Sequence, residues 1–168
     1  MDEVTIVTGS GSGIGRAIAL AFGKSGSHVT VNDIDFEAGE QVLSEIQKEG
    51  GKGQFIPADV SDAAQVKKMF QKVKERFGKV DVLINNAGVP GRFSLIADMP
   101  DETWRKTISV HLDGTFFCMR EAARMMISSG WGRIINIASI AGILGDLEPQ
   151  RSSQDKSGAP NLTNTSAT

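Results

Sequence analysis

A chain of 168 residues with 40% hydrophobic and 23% charged side chains has the size of one domain able to bury a real core. Its formal net charge of -2, with no run of Lys or Arg, excludes an electrostatic footprint for nucleic acid or for an anionic membrane surface. The single cysteine, Cys118, excludes an internal disulfide and a thiolate zinc cluster, and its neighbours Phe117 and Met119 read as ordinary core packing.

The N-terminus opens on Asp2 and Glu3 and turns at once into a short apolar run. That is neither the basic start of a signal peptide nor a membrane span, and a cytoplasmic location is expected. VTIVT (4–8), HVTVND (28–33), GQFIPA (53–58), VDVLINN (80–86) and GRIINIAS (132–139) read as strands. Between them Ile14, Ile18, Ala21 and Phe22 share a helical face, as do Val66, Met69, Phe70 and Val73. Gly26, Gly50 and Gly78 stand where helices should stop. Near-continuous apolar strands joined by crossover helices predict an α/β fold with helices on both faces of a parallel sheet. Right-handed crossovers then give a doubly wound, Rossmann-type order of 3-2-1-4-5.

The longest helical stretch, residues 101–128, carries Trp104, Ile108, Phe116, Met119 and Met126 as an expected core stripe, with subunit packing as the alternative. After Leu147 the composition changes. Residues 148–168 hold Leu162 as their only large apolar side chain, and such a segment cannot offset its ordering entropy. The expected organisation is therefore a nucleotide-binding domain over 1–147 and a disordered polar tail over 148–168. The glycosylation-like NLT and NTS in that tail read as chance matches.

TGSGSGIG (8–15) follows the first strand and opens the first helix. Glycines there allow a tight turn and a close approach to a pyrophosphate, whose charge is met by free N–H groups and the positive end of the helix dipole. Asp33, ending the second strand, stands where a carboxylate can accept hydrogen bonds from an adenosine ribose. Its charge would repel a 2'-phosphate, and neither Ser12 nor Ile34 offers a cation, so NAD is expected over NADP.

TGSGSGIG with Asp33, ADV (58–60), NNAG (85–88) and IASIAG (137–142) resemble the short-chain dehydrogenase/reductase family, of the kind that includes 3-oxoacyl-carrier-protein reductases. The resemblance runs from residue 4 to about 147. It implies that Gly9, Ser12, Gly13, Ile14 and Gly15 line the pyrophosphate and that Asp59 and Val60 meet the adenine. It also places Asn86, Ala87 and Gly88 along the cofactor, and implies an oxidoreductase moving hydride between NAD(H) and a small carbonyl or secondary alcohol. Family members commonly associate, here through the helix over 101–128.

By the same resemblance Ser139 is the catalytic serine that hydrogen-bonds the substrate oxygen. His111 stands where the family usually has an asparagine of a proton relay, and neutral imidazole can also donate and accept. With His28 as its only companion it is not read as a metal ligand, and no metal is expected. The family's Tyr-x-x-x-Lys pair aligns on QRSSQDKSG (150–158), with Lys156 at the lysine and Ser152 at the tyrosine. The sequence contains no tyrosine. A phenol with a pKa near 10 can be lowered toward neutrality beside a lysine, whereas a serine hydroxyl is a far weaker acid. The reading of Lys156 as a solvated lysine in a loose tail, matched by chance, is the stronger one. Family members also continue with further helix and strand, so the chain reads as truncated after the fifth strand. A nucleotide-binding remnant or regulator without turnover is the alternative reading.

Overall fold

The structure, a computed structural model, describes residues 3–89 and 96–139. The segment 148–168, with Ser152 and Lys156, lies outside the described residues. Five parallel strands, β1 (Val4–Thr8), β2 (His28–Asn32), β3 (Lys52–Phe55), β4 (Val82–Asn85) and β5 (Arg133–Asn136), form one sheet in the order β3-β2-β1-β4-β5. The expected 3-2-1-4-5 order is the observed one. Helices α1 (Gly13–Lys24) and α2 (Phe36–Lys48) cover one face and α3 (Ala63–Phe77) and α5 (Gly114–Ser129) the other, while α4 (Asp101–Ile108) leads into α5.

Alternation along the strands divides the core in two. Val4, Ile6 and Leu83 pack with Met69, Phe70 and Val73 of α3 and with Cys118, Ala122 and Met126 of α5. Val7, Val29, Val31 and Ile84 point the other way, to Ala19 of α1 and to Val42 and Ile46 of α2. Strands buried on both faces have no polar side to present, which is why they read as near-continuous apolar runs. Helix starts are capped by Asp35, which accepts from the Ala38 N–H at 3.1 Å, and by Asp62, which accepts from the Ala64 N–H at 2.8 Å. Gly26, Gly50 and Gly78 all have positive φ at the helix ends, as expected.

Two expectations about helix faces need correction. On α1 the buried residues are Gly15, Ala19 and Gly23, whereas Ile14 is 62% exposed. The small residues face inward because α1 crosses very close to its neighbours: a Cβ at Gly23 would stand 2.9 Å from Ile46 Cγ2. The stretch 101–128 is helical, but a π-helical turn, Ser109–Asp113, separates α4 from α5. The Gly114 N–H reaches the carbonyl of Ser109, five residues back. Trp104, ahead of this turn, and Phe116, after it, are expected in the core but are 48% and 53% exposed. The apolar seam runs through Val110, Cys118, Ala122 and Met126, with Met119 packed against it, so the two methionines lie where the stripe is expected.

Cys118 is fully buried, and burial pushes its thiol up to about 12, with the Glu121 carboxylate adding to the shift. A neutral, enclosed thiol is a poor nucleophile. The expected result with a thiol-labelling reagent at pH 8 is no reaction with the native chain and complete reaction once denaturant unfolds it. Rapid native labelling would contradict the packing.

Candidate functional site

At the carboxyl ends of β1, β2 and β4 lies an open cleft of about 350 Å³. Its floor is built by close approach of the backbone. Gly9 has φ +60°, and a Cβ there would come within 2.6 Å of Ala87 Cα. A Cβ on Gly15 would overlap both the Gly9 carbonyl and the Asn86 side-chain amide. Only hydrogen fits at these two positions, so the glycine loop and the β4 end lie in direct contact.

Hydrogen bonds hold that contact. Thr8 Oγ1 accepts from the N–H groups of Asn86 (3.0 Å) and Ala87 (3.1 Å), and the Asn86 amide donates to the carbonyls of Thr8 (3.0 Å) and Gly9 (2.8 Å). Asn85 donates to Asn136 Oδ1 at 2.8 Å, tying β4 to β5. Ser12, the N-cap of α1, makes no side-chain cap hydrogen bond. The first-turn N–H groups of α1 therefore keep the positive end of the helix for an anion.

The β2 side carries the acidic groups. Asp33 Oδ2 accepts from the Gly11 N–H at 2.8 Å and Oδ1 from the Asp35 N–H at 3.0 Å, which aims the carboxylate along the rim. Beyond β3, Asp59 Oδ1 accepts from the Ser61 N–H (2.9 Å) and hydroxyl (2.6 Å). Burial of Asp59 opposes its ionisation, but the Ser61 hydrogen bonds and the nearby Lys106 outweigh it and hold the carboxyl below its ordinary value. Lys106 Nζ stands 3.7 Å from Asp59 Oδ2.

His111 sits in the π-helical turn, with Nε2 at 3.1 Å from Val89 N and 3.2 Å from Val89 O. A Cβ on Gly88 would lie 2.8 Å from its ring. Ser139 is half-buried beyond the end of β5. A larger groove, about 770 Å³ between α3 and α5, holds Phe70 and Met125 among mixed charges. It has no glycine loop and no strand ends, and we do not read it as the site.

The family description "short chain dehydrogenase" matches residues 3–166. The chain belongs to this family. It is 39% identical over 144 residues to 3beta-hydroxysteroid dehydrogenase of Mediterraneibacter gnavus, covering 86% of this chain and 52% of that protein. To 3-oxoacyl-(acyl-carrier-protein) reductase of Synechocystis sp. it is 36% identical over 166 residues, 98% of this chain and 67% of that one. Among solved structures it resembles gluconate 5-dehydrogenase from Burkholderia cenocepacia in complex with NADP and tartrate. There the TM-score is 0.85 at 30% identity, over 96% of this chain and 64% of the other. The chain thus spans about half to two thirds of the length of these relatives.

For this family member, the structure gathers Gly9, Ser12, Gly13, Ile14, Asp33, Asp59, Val60, Asn86, Ala87 and Gly88 around one cleft, with Gly15 packed directly beneath it. Exposed Ile14 is a wall of that cleft, which is what its place in the glycine motif implies. Ser152 and Lys156 fall outside the described residues, and so does the second half of IASIAG. Sequence reasoning missed Thr8, whose partners lie 78 and 79 residues away, and Gly11, which seats Asp33. It also missed Lys106, one helical turn before Val110 on the cleft wall. Among the described residues no helix is long and apolar enough to cross a membrane.

Proposed function

We propose that the cleft binds NAD(H) in preference to NADP(H) and serves an oxidoreductase. The reaction is hydride transfer between the nicotinamide and the carbonyl or secondary alcohol of a small cytoplasmic substrate. The residues present fit such a cofactor: Gly9 and Gly15 are the only side chains their backbone positions admit, and Gly13 opens onto empty space. Backbone groups of Ser12, Gly13 and Ile14 then meet the pyrophosphate, Asp33 the ribose, Asp59 and Val60 the adenine, and residues 86–88 the rest of the cofactor. Bound NAD supplies the hydride acceptor. Ser139 orients the substrate oxygen, and His111, through Val89, fixes the segment 86–89 beside it. Copies of the chain associate through the helical stretch over 101–128.

The observation that carries the cofactor preference is the fixed Asp33 carboxylate. Gly11 and Asp35 hold it in place, and Ile34 beside it bears no charge. A 2'-phosphate brings about 1.5 to 2 further negative charges, and like charges so placed cost several kcal/mol. Fluorescence titration should show NADH binding at least about tenfold more tightly than NADPH, about 1.4 kcal/mol, and Asp33→Ala should narrow that gap. Equal affinities in the parent chain would refute the preference.

The absence of tyrosine from the sequence favours a second reading, a nucleotide-binding protein without turnover. General acid–base assistance is typically worth about 10² to 10⁴ in rate. A turnover assay on simple ketones and alcohols separates the two: NADH binding with no oxidation supports the second reading.

A further inference from the structure

We propose that Lys106 and Asp59 act as a pair that reads the base of the bound dinucleotide, with Lys106 setting how strictly adenine is required. The inference rests on the cofactor reading above and concerns a residue that reading leaves without a role.

Asp59 divides its work between its two oxygens. Oδ1 is committed to Ser61 by two hydrogen bonds, while Oδ2 faces Lys106 Nζ at 3.7 Å on the cleft rim. Lys106 is held over this rim by its helix. Val110, one turn later, is buried on the cleft wall, and Gly114 lies so close to Val60 that a Cβ would stand 2.8 Å from Val60 Cγ2. Lys106 and Val110 both line the cleft, so this stretch of helix carries the Lys106 side chain on the cleft side. Among the described residues lining the cleft, Lys106 is the one cation, set against the anions Asp33 and Asp59.

The chemistry of the pair is complementary. A carboxylate only accepts hydrogen bonds, and an ammonium only donates them. Adenine offers an exocyclic amino donor flanked by ring-nitrogen acceptors, so Asp59 Oδ2 suits the amino group. A base with a carbonyl oxygen in place of that amino group sets acceptor against acceptor. Lys106 can answer it by turning from Asp59 toward that oxygen. With solvent on both sides the pair contributes little, since half-exposed ion pairs are worth at most about 1 kcal/mol. A base stacked over the rim displaces that solvent, and each mismatch then counts for more.

The test uses the 168-residue chain, titrated by fluorescence with NADH and with the analogue in which hypoxanthine replaces adenine. The parent should prefer NADH. Lys106→Met should raise that preference by about fivefold or more, the size of one charge interaction at a partly exposed site, chiefly by weakening the analogue. Lys106→Arg, which keeps the charge, should hold the parent's ratio. Asp59→Asn should lower the preference, because an amide can donate to the carbonyl oxygen. In that background Lys106→Met should change the ratio less, because the introduced amide already supplies a donor to that oxygen, and the difference measures the coupling of the two residues. If NADH binds but the ratio is the same with and without Lys106, the pair is not a base reader and the cofactor reading survives. If the parent binds neither dinucleotide, both fall.

Discussion

Replacing Gly15 by alanine should abolish measurable dinucleotide binding and destabilise the chain by about 2–6 kcal/mol, from overpacking of about 1–3 and a disrupted buried hydrogen bond of about 1–3. The added methyl overlaps the Gly9 carbonyl and the Asn86 amide nitrogen, the two partners of a 2.8 Å hydrogen bond. Neither can retreat cheaply. Gly9 is already at positive φ against Ala87, and Asn86 is fixed by Thr8. Gly13→Ala is the comparison, since a Cβ there meets nothing within 4 Å and only its φ of +54° is unfavourable. That strain alone is worth about 1–2 kcal/mol. Denaturant unfolding and an NADH titration of both variants should place Gly15→Ala well below Gly13→Ala. Equal losses would mean that the loop and the β4 end are not in contact as described.

Thr8→Val should cost about 2–6 kcal/mol in unfolding free energy, the sum for two backbone N–H groups left without acceptors at about 1–3 each, and should weaken NADH binding as well. Valine keeps the shape but removes the oxygen that accepts from the Asn86 and Ala87 N–H groups and donates to the Ile84 carbonyl at 3.4 Å. Thr5 supplies an internal control on the same strand. Its hydroxyl is buried without a hydrogen-bond partner, so Thr5→Val removes an unsatisfied group and should be neutral or stabilising. Opposite responses from two threonines three residues apart would show that the effect lies in the junction with β4 and not in strand propensity. Similar destabilisation by both would count against it.

Much of this architecture was legible before any coordinate. The apolar runs, the helical spacings and the stop glycines are local signals, read within a few residues of each other. With the handedness of crossovers they lead to the strand order that the structure has. The glycine motif and Asp33 were legible for a similar reason: the first βα turn and the end of the next strand are neighbours in any sheet of this kind.

What the sequence alone determined, then, is the sheet, its order, and the residues that converge on its carboxyl edge. Tertiary structure alone decided which face α1 buries. Ile18 and Phe22 of the hydrophobic stripe do pack against the core, but the approach of Gly9 and Asn86 leaves room only for Gly15, and Ile14 turns out to the cleft. It likewise decided that the helix over 101–128 passes through a π-helical turn, that Thr8 serves residues 86 and 87, and that Lys106 meets Asp59. The physical reason is common to all of these. Periodicity reports how apolar a face is, whereas the distance between two backbones, and the partner a buried oxygen finds across dozens of residues, is set only when the elements pack.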